Sequence, residues 1–310
     1  MPFELKEINE GCARPEEFVR ACDEAYDAKI TKAAEKILKN MDQSPIVLLS
    51  GPSGSGKTTT AQKIRDELEK NGVRCHSVSM DNYYKTVTEE NTPRLPNGGF
   101  DLESPLCLDM DLLNAHFSDL AEGKRIYVPK YEFSRQMRII EPSLSLRLKK
   151  NEIVIFEGIH ALNDAITQVH PEAFKLYVSA RSTVMKGEKE FFQGTWIRLM
   201  RRVVRDHKYR GTGALETIKK WESVRRGERL YINPFKDKAD YQFDTAMAYE
   251  VSMLKTLEDH VFDDIPKEVE AYEKIVSIRE NLKEFRELDV KYLAEDALLH
   301  EFIGGGIYER

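Results

Sequence analysis

Gly51-Pro52-Ser53-Gly54-Ser55-Gly56-Lys57-Thr58 lies between an apolar run, Ile46-Val47-Leu48-Leu49-Ser50, and a helical pattern that Asn71-Gly72 closes. The spacing is G-x-x-x-x-G-K-[ST], set between a buried-type strand and a helix, as phosphate binding needs. The glycines let backbone N–H groups converge on phosphate oxygens, an approach that a Cβ would block. Lys57 brings a mobile positive charge to β- and γ-phosphates, the Thr58 hydroxyl can ligate Mg2+, and Thr59 carries the loop into the helix. The plain alternative is an ordinary glycine-rich strand-to-helix turn.

Working outward, residues 73–80 alternate as a second strand. Strand, glycine turn, helix and strand together argue for an α/β fold of the P-loop NTPase type. Such a fold is a parallel sheet with helices on both faces. Before the loop, Phe18, Cys22, Tyr26, Ile30, Ala33 and Ile37 predict an amphipathic helix over 16–40. After it, residues 85–105 are rich in Thr, Asn, Pro and Gly and predict a long loop or flap. A helix is expected over 108–120, and strands over 125–128, 152–156 and 174–178. Two basic helices, 196–206 and 214–226, should be joined by a hinge at Arg210-Gly211-Thr212-Gly213. An edge strand over 241–248 and helices over 249–260, 266–286 and 293–302 complete the chain.

With 41% apolar and 32% charged residues, the 310-residue chain can bury a core and is too apolar to be disordered. Its apolar runs are strand-sized, which excludes a membrane span, and no secretory signal opens the sequence. Cys12, Cys22, Cys75 and Cys107 form no C-x-x-C pair, so reduced thiols in a cytoplasmic protein are expected. A net charge of −6 argues against general nucleic-acid affinity.

The D-x-x-G and N-K-x-D elements of G proteins are missing, as is the LSGGQ-like signature of transport ATPases. Motor-like ATPases and small-molecule kinases remain. Asp81, at the end of the second strand, suits a general base that takes a proton from an acceptor hydroxyl. Read alone, it serves equally as a turn cap. Between Trp196 and Leu230, eleven basic residues face four acidic ones, a local anion site in an acidic protein. Several of these arginines must be solvated, yet Arg202, Arg205 and Arg210 gather near the hinge as a lid closing on triphosphate would require. RNA binding is the rival reading, and no stacking-aromatic motif accompanies it.

At these residues the chain resembles the uridine kinase and phosphoribulokinase family over roughly residues 45–250. Ser79-Met80-Asp81-Asn82-Tyr83-Tyr84-Lys85 is similar to the segment with the catalytic aspartate, here Asp81, and a substrate-side tyrosine, here Tyr84. Phe100-Asp101 resembles the segment whose aspartate holds ribose hydroxyls. Pro129-Lys130-Tyr131-Glu132-Phe133 resembles the turn of the base pocket. Val154-Ile155-Phe156-Glu157-Gly158 resembles the strand whose glutamate, here Glu157, helps organise Mg2+ together with Thr58 and Asp81. Arg201-Arg202-Val203-Val204-Arg205-Asp206, with Arg210-Gly211, resembles the arginine-rich lid. Bland alternatives stand beside these: Glu157 simply meeting water, Tyr131 and Phe133 as core aromatics, Asp101 as a turn cap.

The resemblance implies an ATP-dependent kinase domain over 45–255, with a lid near 205–213 and helical extensions at 1–44 and 256–310. Three features depart from the family pattern. Where a pyrimidine-reading histidine is usual stands Gln136; where a further lid arginine is usual stands Thr212; and residues 181–195 look inserted. The implied acceptor is the 5′-hydroxyl of uridine or cytidine. A sugar phosphate or other polyol, or a lapsed nucleotide-binding regulator, are the rival readings. The terminal helices should pack on the core, with a homo-oligomer through them as the second choice.

Overall fold

The computed structural model describes residues 2–258, 262 and 265–308. It opens with a two-residue strand, β1 (Phe3–Glu4), then α1 (Leu5–Gly11) and α2 (Pro15–Asn40). Pro15 starts α2, where its missing N–H costs nothing. The helix buries Val19, Tyr26, Ile30, Ala33, Ala34 and Ile37 at the expected helical spacing. Next come β2 (Ile46–Ser50), α3 (Lys57–Lys70) and β3 (Arg74–Ser79), the predicted strand–loop–helix–strand unit. The long loop that follows is pinned by two isolated bridges, Tyr84 with Leu108 and Arg94 with Phe100.

After α4 (Met110–Ala121), β4 (Ile126–Glu132) and β5 (Met137–Leu146) form an antiparallel hairpin. The second of these strands was not predicted: most of its side chains are exposed, so no apolar stripe marks it. The register shifts between Val128 and Lys130, around Pro129, which has no N–H for the ladder. Then follow β6 (Glu152–Glu157), α5 (Asp164–Thr167) and β7 (Phe174–Ser179). The segment that looked inserted forms β8 (Val184–Lys186) and β9 (Lys189–Phe192). β8 and β9 are antiparallel, and β1 pairs in parallel with β8 through Phe3 and Val184, giving a three-stranded sheet that ties down the N-terminus.

The first basic helix, α6 (Gly194–Arg210), runs past the predicted end at 206, so Arg210 joins Arg205 on its last turns and does not sit in the hinge. Gly211, at φ 60°, ends it in the left-handed region that favours glycine. α7 (Ala214–Gly227), the edge strand β10 (Tyr241–Asp244), α8 (Glu250–Glu258), α9 (Tyr272–Leu282) and α10 (His300–Ile303) follow. Residues 259–260 of the predicted 249–260 helix lie outside the described residues.

The main sheet has the order β10-β7-β2-β6-β3, all parallel. Its inner strands are apolar on both faces because both are covered. Val47, Leu49, Ile153 and Ile155 point into one core with α2, α3 and α6. Ile46, Leu48, Val154 and Phe156 point into the other with Phe117 and Tyr83. The first core also takes in Leu5 and Ile8 from the N-terminal segment, and Phe285, Leu298 and Phe302 from the C-terminal one. The apolar stripes of both extensions are thus covered by their own chain. Among the described residues, no helix is long and apolar enough to cross a membrane.

Register positions the chemistry. Leu49 and Ser79 both pair with Glu157. The ends of three parallel strands therefore deliver the glycine loop, Glu157 and Asp81 to one sheet edge, where open α/β sheets bind ligands.

Candidate active site

The glycine loop closes as its spacing demands. Gly54 and Gly56 have φ of 75° and 80°, and Gly51 presses so closely on the Val178 carbonyl that no Cβ fits. The loop is held from outside by α6. Arg198 donates to the Ser53 carbonyl (3.2 Å), Arg201 to the Gly54 carbonyl (3.0 Å) and Arg202 to the Ser53 hydroxyl (2.8 Å). Thr245 donates its hydroxyl to the Ser55 carbonyl at 2.7 Å. Because a planar peptide sets its N–H opposite its C=O, the Arg198 contact turns the Gly54 N–H away from α6 and the Thr245 contact turns the Gly56 N–H away from Thr245. The loop thereby gains the inward donors an anion needs.

Two buried carboxylates fasten the arginines in turn. Glu228 takes Arg198 in a bidentate pair, at 2.6 and 2.8 Å, and Glu250 does the same for Arg201. Arg198, Arg201, Arg202 and Arg205 occupy one helix face at spacings of three and four. That spacing was the available signal for a scaffold; the Arg202 guanidinium meets Ser53 of the phosphate loop.

Lys57, at the N-terminus of α3, donates to the Pro52 carbonyl at 3.3 Å. Burial lowers its pKa, against which Glu157 and Asp81 pull upward. Burial raises the Glu157 carboxyl and Asp81 adds to the rise, while Lys57 opposes it. The Ser79 hydroxyl, and not Asp81, caps the turn at Met80–Tyr83, accepting from the Asp81 N–H at 3.3 Å. The turn-cap alternative for Asp81 falls away. Thr58, Glu157 and Asp81 offer only hard oxygens, the donor set Mg2+ prefers. A cation between the two carboxylates would also relieve their repulsion. Among the described residues no three His, Cys, Asp or Glu form a metal cage; the set suits an ion that completes its shell with phosphate oxygens and water.

On the acceptor side, Asp101 is buried, and one of its oxygens accepts from both the Arg226 guanidinium and the Tyr231 hydroxyl at 2.9 Å. Its other oxygen, Oδ1, is buried with no hydrogen-bond partner. The Asp101 side chain therefore caps no turn. Arg226 was visible in the sequence only as part of a charge run, and Tyr231 not at all. Glu103 was missed too: burial pushes its carboxyl up to about 7, with Glu228, Asp101 and Asp81 adding and Arg202 opposing.

Tyr84, Tyr131 and Phe133 form an aromatic triangle with ring separations of 5.5, 5.9 and 5.1 Å. Tyr131 and Phe133 are not core residues, and Phe133 is 50% exposed. The Arg210 guanidinium lies 5.6 Å from the Phe133 ring, so the end of α6 meets the β4–β5 hairpin above the site. Asp206 organises this corner, with Arg205 at 2.6 Å, Arg202 at 3.3 Å and Arg210 at 3.6 Å. Burial works against the Asp206 carboxylate, but the three cations hold it below its ordinary range. Gln136 is set apart: it is exposed at the hairpin turn with φ 51°, its carbonyl accepting from the Val87 N–H. A left-handed turn position favours Gly, Asn or Asp, so the turn itself does not account for a glutamine there.

The model of the phosphoribulokinase / uridine kinase family matches residues 46–252. The chain belongs to this family. A uridine kinase of Staphylococcus aureus is 29% identical over 201 residues, which cover 64% of this chain and 87% of that protein. Among solved structures, a possible uridine kinase from Bacillus stearothermophilus aligns over 64% of this chain and 88% of its own, at 17% identity and TM-score 0.40. A D-glycerate 3-kinase from Cryptococcus neoformans aligns over 88% of both chains, at 16% identity and TM-score 0.34. This family member is a small-molecule kinase that takes ATP as its phosphate donor.

Proposed function

We propose that this kinase transfers the γ-phosphoryl group of ATP to the 5′-hydroxyl of a pyrimidine nucleoside, uridine or cytidine. The observation that carries the reading is Asp101: a buried carboxylate fixed by Arg226 and Tyr231 that keeps one oxygen without a partner. Such an oxygen is costly to bury unless a ligand donor meets it, and sugar hydroxyls are such donors. The Tyr84–Tyr131–Phe133 triangle supplies flat apolar surface for a ring beside it. Three carboxylates, Asp81, Asp101 and Glu103, gather on this side, with Arg226 paired to Asp101 and Arg202 to Asp206. That balance favours a neutral polyol over an acceptor that already carries phosphate.

In this reading residues 51–59 bind the triphosphate and Lys57 neutralises its β- and γ-oxygens. Asp81 accepts the proton of the attacking hydroxyl. Thr58, Asp81 and Glu157 would hold Mg2+, which when bound draws charge from the transferring phosphoryl. Arg205 and Arg210, on the last turns of α6, stabilise the developing charge and exclude water. Positioning and electrostatics do most of the work, since phosphoryl transfer asks little covalent chemistry of the protein.

A coupled ADP-release assay with uridine, cytidine, a ribulose phosphate and glycerate tests the reading. Turnover should be fastest with the nucleosides. Preference for the sugar phosphate would replace the acceptor, and ATP binding with no turnover on any acceptor would leave a nucleotide-binding regulator.

A further inference from the structure

The outer end of the glycine loop already carries an anion supplied by the chain itself. A Glu301 carboxylate oxygen accepts the Thr59 N–H at 2.8 Å, from 242 residues away. Thr59 is the third residue of α3, and its N–H is one of the donors that a helix leaves unpaired at its start. These are the groups a phosphate chain running off the loop would use. The neighbouring C-terminal residues fit the same place. Leu298 is fully buried, and a Cβ on Gly56 would lie 2.7 Å from its Cδ1. The Phe302 ring, also fully buried, lies 5.0 Å from the Arg201 guanidinium, a flat cation on which planar rings stack. Lys208 of α6 holds the turn by donating to the Ile303 carbonyl at 2.5 Å.

We propose that Glu301 is a built-in competitor for the donor nucleotide, its carboxylate standing on the α3 N-terminus where a nucleotide phosphate oxygen must go. This rests on the reading of residues 51–59 as the donor loop. The contest is local. Leu298, Leu299 and Phe302 are all fully buried, and apolar burial of this kind stabilises the docked segment strongly. Releasing the whole segment would therefore cost more than one phosphate contact returns. What donor binding has to displace is the Glu301 side chain, while the apolar residues stay seated. The consequence is a donor affinity set below what the loop alone would give.

The test uses the full-length chain and a non-hydrolysable ATP analogue with Mg2+. Glu301→Ala should bind the analogue about tenfold more tightly than wild type, the range of one charge-assisted hydrogen bond, and Glu301→Gln by less. Thermal unfolding adds a reading that a merely structural residue would not produce. Without nucleotide both variants should melt below wild type, and saturating analogue should raise their Tm by more than it raises that of wild type. Unchanged or weaker binding, or a smaller ligand-induced rise in Tm, overturns the proposal and makes Glu301 a support of the loop. Binding that survives Lys57→Ala, or none in any protein, would instead sink the donor-loop reading, and this inference with it. Failure to phosphorylate nucleosides, with the analogue results as expected, would touch only the acceptor.

Discussion

Arg201 and Glu250 pair with neither side chain exposed to solvent, and the same guanidinium donates to the carbonyls of Gly54 and Thr245. One ion pair thus connects the phosphate loop, the end of β10 and the start of α8. Removing one partner leaves the other charge buried and alone, at a cost of about 3–5 kcal/mol. Glu250→Ala should lose that much in urea unfolding followed by circular dichroism. The double replacement Arg201→Met/Glu250→Leu, which buries no charge, should recover most of it. Equal losses in single and double variants would show that the pairing is not what the single change breaks.

Asp81 is the residue on which turnover should depend most specifically. The proposed mechanism gives its neighbours Lys57 and Glu157 to phosphate and cation, and the hydroxyl proton to Asp81 alone. Asp81→Asn keeps the shape and removes the base, so kcat should fall by roughly 10²–10⁴. The dissociation constant for an ATP analogue should stay within a few-fold. Near-normal turnover would take Asp81 out of the mechanism.

Glu103 predicts how stability varies with pH. Its carboxyl stands at about 7 in the folded chain against an ordinary 4.5, so the folded state holds the proton more tightly than the unfolded one. The stability this contributes is complete below 4.5 and is lost as pH climbs through about 7. Wild type should accordingly lose Tm from about pH 5 to about pH 8 relative to Glu103→Gln, which cannot ionise. Taking the difference between the two proteins cancels every other titrating group. Parallel Tm curves would mean that Glu103 ionises normally.

What the sequence made legible follows from which interactions are local. The apolar runs Ile46–Ser50 and Glu152–Glu157 read as strands because both faces of a parallel sheet are buried. The glycine loop read itself, since its φ values need glycine where glycine stands. The Tyr131–Phe133 turn could be named but not placed, because its partner strand β5 is mostly exposed and leaves no pattern. The arginines of α6 were readable as charge but not as scaffold. Their carboxylate partners stand 30 and 49 residues away, and no spacing rule reaches that far. Arg226 and Tyr231 meet Asp101 across 125 and 130 residues, and Glu301 meets Thr59 across 242. Such contacts exist only once the sheet has brought the strand ends together.

The Asp101 cluster yields a graded series. Asp101 accepts two hydrogen bonds on one oxygen, while Oδ1 is buried without a partner. Tyr231→Phe removes one donor but leaves the Asp101 charge and its Arg226 pair, so the acceptor KM should rise only a few-fold. Asp101→Asn keeps the shape but loses the charge and leaves Arg226 without its carboxylate. For that variant the acceptor KM should rise by about 10- to 100-fold, consistent with roughly 1.5–3 kcal/mol for a charge-assisted bond. The ATP KM should hardly move in either case, because Asp101 bonds to Arg226 and Tyr231 and to none of the residues that fasten the phosphate loop. Steady-state kinetics with each substrate varied in turn separates the two effects. A rise in the ATP KM as large as that for the acceptor would mean that Asp101 acts by holding α7 in place and does not touch the acceptor.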